Sequence, residues 1–423
     1  WIFGYKRFKG YRKGSGLFSS LALTREHKRV LKQFAEHNVK LKPLFEHENA
    51  WQSRTFAYFT NGNEVSIHID GEVAYARLFE LLEQAKEYVL VEYYIIQSDE
   101  TGTRLMDALI KKAEQGVQCY VIFDGLGAKK YRKNMKKMRA AGVRIYPFET
   151  TRERFHKLRL NFRNHRKIFI VDGQYAITGG MNIGDEYIGK HKKLSPWRDT
   201  NIELSGPAAL LLQYTFQRDW EYVSGEKLKA VSWELYHKPG NTDVLVAPTS
   251  PATLYDFGSI FFLHLIHAAQ KRIWIFNPYF VPDEQFISAL QLASLRGVEI
   301  RIVTPVLSDS NFIKQIARGV MYNFRDFENI EWREYIGGFM HQKVLLIDDE
   351  LSLVGTHNFD NRSFRLNFEV SVLVRNKDFQ NTIEKMMRDD LVKTRLADKS
   401  LYAKLPFHRR FIVRLYSLLS PIA

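Results

Sequence analysis

Cysteine is almost absent from this chain: Cys119 is the single one in 423 residues. One thiol excludes an intramolecular disulfide and argues against a thiolate metal cluster. Because Cys119 lies in the apolar run Cys-Tyr-Val-Ile-Phe, we expect a buried core thiol. Long apolar runs are also missing, since the best stretches, 207–216 and 260–269, are shorter than the roughly 18 residues that a membrane-spanning helix requires. The sequence as given therefore predicts no such helix.

Positive charge is plentiful. The 62 Lys and Arg outnumber the 47 Asp and Glu, which leaves a formal charge of +15. This excess favours a polyanionic partner, either nucleic acid or an acidic lipid surface, and charge alone does not choose between them. With 45% hydrophobic residues, the chain can bury two cores, as two domains or as one large pseudo-symmetric body.

The chain contains an internal repeat. The segments 86–95 and 271–280 can be superimposed, and each predicts a buried strand followed by a helical pattern, a Gly-Val step and a second apolar strand. Two βαβ units predict an α/β fold of two pseudo-symmetric halves, each a mixed, largely parallel sheet flanked by helices. Turn residues between 225 and 243 place the junction there, so we expect the halves to be 61–235 and 236–400.

The two ends of the chain lie outside the repeat. Residues 1–60 form a basic appendage with a helical pattern at Val30, Leu31 and Phe34, and the apolar segment at Trp1 is consistent with a preceding membrane anchor. Residues 401–423 predict a basic amphipathic helix, which suits an anionic membrane surface. A terminal helix docked on the protein's own core is the equally good alternative. The apolar stripe of this helix is Phe407, Phe411, Leu415 and Leu418, and the arginines outside it are Arg409, Arg410 and Arg414.

A His-x-Lys-x4-Asp motif occurs once in each half, as His165, Lys167 and Asp172 and again as His341, Lys343 and Asp348. His and Lys two apart on a strand lie on the same face. In both copies a Gly follows the His by fourteen residues and an Asn by seventeen, which gives Asn182 and Asn358. A lone His at a strand start is ordinarily just a hydrogen-bonded histidine, but the matched duplication favours a functional pair.

These residue types suit phosphodiester chemistry. Lysine supplies a point charge and asparagine an amide donor, so we expect Lys167, Asn182, Lys343 and Asn358 to hold phosphate oxygens. If the halves face each other, one neutral imidazole can attack phosphorus while the other, protonated, donates to the leaving oxygen. The residues alone leave open which histidine attacks. No carboxylate cluster with ligand spacing lies near either motif, so we predict catalysis without a metal or other cofactor.

The motif aspartates complete the catalytic set, but each opens a tight-turn signal. We therefore interpret Asp172 and Asp348 as mainly structural, with direct chemistry as the lesser alternative.

The paired motifs resemble those of the phospholipase D superfamily, and the flanking words resemble bacterial cardiolipin synthases from about residue 65 to residue 396. Those words include Asn164-His-Arg-Lys, Trp197-Arg-Asp, Asn277-Pro-Tyr-Phe-Val-Pro and Met340-His-Gln-Lys. The resemblance implies His165 as nucleophile and His341 as acid and base. It implies Asp199 as the group that orients His165, and Glu369 as the group that orients His341.

Past the second motif, Arg362 and Ser363 could hold a lipid headgroup, and an ordinary surface loop is the alternative. The resemblance further implies transfer of a phosphatidyl group between two phosphatidylglycerol molecules at a bacterial cell membrane, with no nucleic acid as partner. Alternatives are a hydrolase that uses water, a synthase with another alcohol, a nuclease of the superfamily, and a non-catalytic lipid-binding relative. The sequence leaves the oligomeric state open.

Overall fold

Two sets of strands and helices follow each other in matching order. The computed structural model describes residues 25–42, 44, 58–149, 162–236, 239–252 and 256–417. The first set comprises α1 (Arg25–Glu36), β1 (Leu41–Lys42), β2 (Phe59–Ile69), α2 (Gly71–Gln84), β3 (Tyr88–Tyr93), α3 (Glu100–Glu114), β4 (Gln118–Asp124), α4 (Met135–Ala140), β5 (Arg144–Phe148), β6 (Lys167–Val171), β7 (Tyr175–Gly179), β8 (Trp197–Arg198), β9 (Thr200–Ser205) and α5 (Pro207–Ser224).

The second set repeats this order and ends with a further strand and helix. It comprises β10 (Thr242–Thr249), α6 (Phe257–Ala268), β11 (Arg272–Phe276), β12 (Phe280–Val281), α7 (Glu284–Leu295), β13 (Glu299–Pro305), α8 (Asn311–Tyr322), β14 (Ile330–Tyr335), β15 (Phe339–Met340), β16 (Val344–Ile347), β17 (Leu351–Gly355), β18 (Phe359–Asp360), α9 (Asn361–Arg365), β19 (Glu369–Arg375), α10 (Lys377–Leu391), β20 (Thr394–Leu396) and α11 (Phe407–Ser417).

Sixteen of the described strands form one continuous sheet with a midline, while β12 with β18 and β15 with β8 form two separate two-stranded sheets. Its order is β20-β14-β13-β11-β16-β17-β19-β10-β2-β9-β7-β6-β3-β4-β5, with β1 paired to β2. From the central β10–β2 pair outward, β19 corresponds to β9, β17 to β7, β16 to β6 and β11 to β3. The motif strands β6 and β16 therefore occupy equivalent places on either side of the midline.

The α/β class and the pseudo-symmetric halves are confirmed, but the sheet is not largely parallel. Parallel pairing is confined in the main sheet to β3–β4–β5 and β11–β13–β14, the products of the βαβ units. The inner strands pair antiparallel because hairpins such as β6–β7 and β16–β17 return directly, and the halves join through antiparallel β2 and β10.

Matching signals in the sequence set the helices of the two βαβ units. Asp99 caps α3 by accepting from the backbone N–H of Gly102, and Asp283 caps α7 by accepting from those of Gln285 and Phe286. Both helices stop before a glycine with positive φ, 91° at Gly116 and 89° at Gly297, a conformation that favours glycine. The predicted strand, helix, strand pattern is therefore correct in both halves.

The apolar core lies in two layers. One face of the sheet carries a core shared by both halves, with side chains from α5, α10 and α1, while the opposite face of each half has its own cluster under α2 and α3 or under α6 and α7. Val30 and Phe34 of α1 are buried in the shared core, so the described part of the appendage packs on α5. Cys119 is a buried free thiol, as predicted.

Candidate active site

The two histidines and two lysines sit at equivalent places in the two halves. His165 precedes β6 and Lys167 begins it, while His341 and Lys343 stand just ahead of β16. All four side chains are buried. The charge of Lys343 acts on His165 and that of Lys167 acts on His341, so the two sets lie close together across the midline. The fold thus brings together the residues that the duplicated motif singled out.

Each histidine segment pairs with the opposite half of the chain. The backbone N–H of His165 donates to the carbonyl of Phe368 at 2.9 Å, and that of His341 donates to the carbonyl of Arg198 at 2.7 Å. Phe368 directly precedes β19, and Arg198 ends β8. The backbone therefore places His165 beside the start of β19 and His341 beside the start of β9.

The carboxylates that orient the histidines are exchanged between the halves. Nδ1 of His165 lies 2.9 Å from Oε2 of Glu369, and Nδ1 of His341 lies 2.8 Å from Oδ2 of Asp199. Each carboxylate contacts one of the histidines, but the pairing implied by the resemblance is wrong, because each histidine is joined to the carboxylate of the other half. Such a bond fixes the proton on Nδ1 and leaves Nε2 for chemistry.

Glu369 is held by three further side chains. Its Oε2 accepts from the hydroxyl of Thr356 at 2.5 Å, and its Oε1 accepts from Ser363 at 2.9 Å and from the amide of Asn367 at 3.0 Å. Together with His165 these donors give the buried carboxylate four hydrogen bonds, which compensates its loss of hydration.

Asp199 has a sparser set of partners. Its Oδ1 accepts from the backbone N–H of Thr200 at 2.9 Å, and its Oδ2 has a long contact of 3.4 Å with the indole N–H of Trp197. Gly180 packs against this carboxylate so closely that a Cβ there would lie 2.0 Å from Oδ1. Position 180 corresponds to Thr356 of the other half, so the first half excludes the hydroxyl that the second half supplies.

Both imidazoles are neutral in the free protein at neutral pH. Burial lowers the pKa of His165 to about 3, against the opposing pull of Glu369. Burial, reinforced by the charge of Lys343, lowers the pKa of His341 to about 4. Burial acts in the opposite direction on the carboxylates, but their histidine and lysine neighbours outweigh it, so the pKa of Glu369 falls to about 2 and that of Asp199 is also lowered.

The lysines are poised to receive an anion. Burial lowers the pKa of Lys167 to about 7 and that of Lys343 to about 8. Nζ of Lys167 donates to the carbonyl of His165 at 2.7 Å, and Nζ of Lys343 lies 3.0 Å from both ring nitrogens of His341. A phosphodiester anion between them would stabilise both ammonium groups and the protonated form of His341.

The motif aspartates lie at the far ends of the motif strands. Asp172 follows β6, about 16 Å along the strand from Lys167 at the usual rise per residue, and Asp348 follows β16 in the same way. Their place in the catalytic set is therefore corrected to a structural one. Each adopts φ of 51° in its turn and accepts backbone N–H groups that lead into the neighbouring strand. The donors are Lys86, Glu87 and Tyr88 for Asp172, and Gln270, Lys271 and Arg272 for Asp348.

The two asparagines differ in their contacts. Asn182 accepts from the backbone N–H of Ile95 at 3.0 Å and donates to the hydroxyl of Tyr187 at 2.7 Å, so its amide holds the loop after β3. The side-chain oxygen of Asn358 is buried without a hydrogen-bond partner. Of the two, Asn358 has the amide that is better placed to meet a ligand, and phosphate contact by either asparagine stays a prediction.

The two residues expected to hold a lipid headgroup, Arg362 and Ser363, differ in burial and in contacts. Ser363 is fully buried and donates to Glu369, so a headgroup contact from Ser363 is wrong. Arg362 is half-buried, and its charge acts on Arg163 and Asp360, which places it on the His165 side of the site. Burial raises the pKa of Asp360 to about 7.

The middle residues of the motifs were missed by the sequence reasoning. Arg166 forms a buried ion pair with Asp219 of α5, and Gln342 donates to Asp390 of α10 at 2.8 Å. Each tethers its motif to the helix behind the sheet. A polar residue at the same motif position in both copies was the available signal. Tyr94 was missed as well, and its ring lies 4.8 Å from the ring of His165.

Within the described ranges, no three His, Cys, Asp or Glu side chains are grouped so as to hold a metal ion. The same part of the chain contains no helix long and apolar enough to span a membrane. Independence from metal remains a prediction.

A two-half sheet with one His and Lys pair on each side of its midline defines the phospholipase D-like class. The family model described as cardiolipin synthase, PLD-like domain matches residues 78–220 and 262–391. The fold is also that of phosphatidylserine synthase from Haemophilus influenzae, with a TM-score of 0.65 over 95% of this chain and 100% of that one at 13% identity.

The chain belongs to the cardiolipin synthase family of phospholipase D-like proteins. It is 40% identical over 336 residues to cardiolipin synthase A of Pseudomonas putida strain GB-1, a match that covers 79% of this chain and 69% of the relative. Against cardiolipin synthase A of strain W619 it is 39% identical over 363 residues, which cover 85% of this chain and 75% of the relative.

Proposed function

We propose that this protein is a cardiolipin synthase that transfers a phosphatidyl group from one phosphatidylglycerol to the terminal glycerol hydroxyl of a second. The products are cardiolipin and glycerol. The observation that carries the proposal is the buried pair of imidazoles, each oriented by a carboxylate and each beside a lysine. The family relationship supports the choice of lipid substrate.

In the first half-reaction, Nε2 of His165 attacks phosphorus and forms a P–N bond. The bond from phosphorus to the first glycerol oxygen breaks, and that oxygen takes the proton from Nε2 of protonated His341. Lys167 and Lys343 neutralise the charge that builds on the non-bridging oxygens. The result is a phosphatidyl-histidine at His165, free glycerol and a neutral His341.

In the second half-reaction, neutral His341 takes the proton of the acceptor hydroxyl. The acceptor oxygen attacks phosphorus, the P–N bond breaks, and His165 returns to its neutral form while His341 again carries a proton. Atoms and charge balance over the cycle, and the only net change is the exchange of one alcohol for another.

The different surroundings of the carboxylates support His165 as the nucleophile. Three donors besides His165 share the charge of Glu369, whereas Asp199 has one good backbone donor and a long indole contact. A carboxylate with fewer competing donors stabilises an imidazolium better. His341 is thus the better proton carrier.

The test is incubation of the full chain with phosphatidylglycerol in detergent, with His165→Ala as control. We expect cardiolipin and glycerol in equal amounts, and neither from the variant. Phosphatidic acid as the main product would instead identify a hydrolase, and activity that survives in His165→Ala would contradict the assigned nucleophile. The same assay in excess chelator should proceed at an unchanged rate, since cationic side chains neutralise the phosphate.

We further propose that the protein binds anionic membrane surfaces through α11. Val413 of this helix is buried against the protein, where α11 packs on α8, while Phe407, Phe411 and Leu415 are 78%, 59% and 49% exposed. Both earlier alternatives therefore find support, because one face docks on the core and another carries the predicted stripe. Leu418 lies outside the described residues. Exposed Arg409 and Arg414 add charge complementarity to acidic lipids.

Vesicle sedimentation tests this surface. Phe411→Ser should weaken binding to phosphatidylglycerol vesicles several-fold, and exposed Leu295→Ser on α7 serves as a matched control. Equal binding by both variants, or binding that does not distinguish anionic from zwitterionic vesicles, would contradict this role for α11.

A further inference from the structure

A tyrosine lies beside His341, and an aspartate bonded to it lies near Lys343. The ring of Tyr279 lies 6.5 Å from the ring of His341, and its hydroxyl donates to the carboxylate of Asp309. Asp309 is exposed in the turn between β13 and α8, and its charge acts on Lys343. Neither residue belongs to the duplicated motif.

Tyr279 is held in place by its own backbone. Its N–H donates to Oδ1 of Asn277 at 3.2 Å, and the same oxygen accepts from the backbone of Phe359 at 3.0 Å. The amide of Asn277 donates to the carbonyl of His357 at 3.1 Å. These bonds join the segment after β11 to the segment that carries Asn358, so the tyrosine ring has a fixed place beside His341.

The surroundings of the two histidines differ in charge. On the His165 side, the corresponding aromatic contact is Tyr94, with the guanidinium of Arg163 5.6 Å from its ring centre; Arg163 is ion-paired with buried Asp124, so the charge of nearby Arg362 makes this side cationic. On the His341 side, the aromatic residue presents an exposed carboxylate. A phosphate is attracted to the cationic side, whereas a carboxylate repels phosphate and accepts hydrogen bonds from hydroxyl groups.

A cavity opens next to this pair. Its volume is about 40 Å³, and its lining includes Pro278 and Ser308, the chain neighbours of Tyr279 and Asp309. Lys314 and Arg318, one turn apart on α8, also line it, and so does Glu334, which is ion-paired with Arg395. A lipid whose uncharged hydroxyl headgroup lies beside Asp309 would therefore have its anionic phosphate near Lys314 and Arg318.

We propose that Asp309, fixed by Tyr279, binds the hydroxyls of the acceptor glycerol and presents one of them to His341, while Arg318 attracts the acceptor's phosphate. The inference rests on the proposed function, since it assumes a phosphatidylglycerol acceptor. A carboxylate offers about four lone-pair positions, of which the tyrosine hydroxyl takes one. The remaining positions suit the two adjacent hydroxyls of a glycerol headgroup. Water has no second hydroxyl and is therefore bound less strongly by the carboxylate.

The experiment compares acceptors in detergent micelles of phosphatidylglycerol. It measures cardiolipin, phosphatidic acid and the incorporation of labelled glycerol into phosphatidylglycerol. We expect Asp309→Asn to lower transfer to both glycerol acceptors about tenfold, the loss of a charge-assisted hydrogen bond, and to raise the fraction of phosphatidic acid. Tyr279→Phe should act in the same direction by about threefold. Arg318→Gln should lower cardiolipin formation and leave glycerol exchange unchanged.

Asp326→Asn, which alters an exposed carboxylate just beyond α8, is the matched control and should behave as the unaltered protein. A wild-type ratio of products in Asp309→Asn would overturn the inference, as would an equal loss of transfer to water, which would indicate general damage to the site. If the unaltered protein makes no cardiolipin, the proposed function fails instead, and glycerol exchange still reports on Asp309.

Discussion

The two halves of the molecule carry the same motif in unequal surroundings. His165 is bonded to Glu369, which Thr356, Ser363 and Asn367 also hold, whereas His341 is bonded to Asp199, which has fewer donors and packs on Gly180. The duplicated motif therefore gives two equivalent imidazoles, and the carboxylates of the opposite half, which differ in their own hydrogen bonds, make the two imidazoles unequal. In the proposed mechanism, His165 is the one suited to attack and His341 the one suited to carry a proton.

Removal of either imidazole should have the largest effect on kcat and should distinguish the two halves most clearly. With phosphatidylglycerol, His165→Ala and His341→Ala should each lose at least about a thousandfold in kcat, because both half-reactions need both rings. With phosphatidyl-p-nitrophenol, whose phenolate leaves without a proton, His341→Ala should keep a burst of nitrophenolate and His165→Ala should show none. Bursts of equal size in the two variants would refute the division of roles.

At the turns, by contrast, the halves should behave alike. Asp172→Ala and Asp348→Ala each remove the acceptor of three backbone N–H groups, so each should lower the free energy of unfolding by about 3 kcal/mol. Urea denaturation measures this loss, and kcat per folded molecule should be unchanged. A thousandfold lower kcat in the folded Asp172→Ala variant would instead show that this carboxylate takes part in catalysis.

The stability contributed by the two catalytic-site histidines should fall as the pH falls through the range in which unfolded histidine takes up a proton, while Asp360, whose pKa burial raises to about 7, acts in the opposite direction. In the folded chain burial lowers the pKa of His165 to about 3 and that of His341 to about 4, below the ordinary value near 6.5. The unfolded state therefore binds more protons between about pH 6.5 and 4, and each histidine should cost about 2 kcal/mol between pH 7 and pH 5.

Urea unfolding at the two pH values measures this dependence, and His341→Gln should reduce it by one histidine's share. If His341→Gln leaves the difference in unfolding free energy between pH 7 and pH 5 unchanged, the imidazole is not buried in its neutral form.

The smallest effect should come from position 356, which is Thr356 in the second half and corresponds to Gly180 in the first. Thr356→Val removes one donor from Glu369, so the carboxylate should stabilise protonated His165 more strongly. We expect about a threefold lower kcat, an acid limb of the pH profile that moves to higher pH, and recovery with Thr356→Ser. A lower kcat without the shift in pH profile would indicate that Thr356 serves packing alone.

Local patterns in the sequence predicted much of this structure. The βαβ units, the motif strands and the turns at Asp172 and Asp348 follow from short-range periodicity and turn chemistry. The exchange of Glu369 and Asp199 does not, because it depends on contacts between residues that are 204 and 142 positions apart in the chain. Likewise, burial of Ser363 and the contact of Tyr279 with Asp309 arise only when separate strands and loops of the second half pack together, and the spacing of residues carries no sign of either.

The central claim is that each histidine is oriented by a hydrogen bond to a carboxylate of the other half. A burst experiment with phosphatidyl-p-nitrophenol tests this claim most directly. Asp199→Asn should retain a nitrophenolate burst near one per site followed by slow turnover, because it impairs His341 in the second step. Glu369→Gln should lose the rapid burst, because it misorients His165. A rapid burst in Glu369→Gln together with its loss in Asp199→Asn would contradict the exchanged pairing.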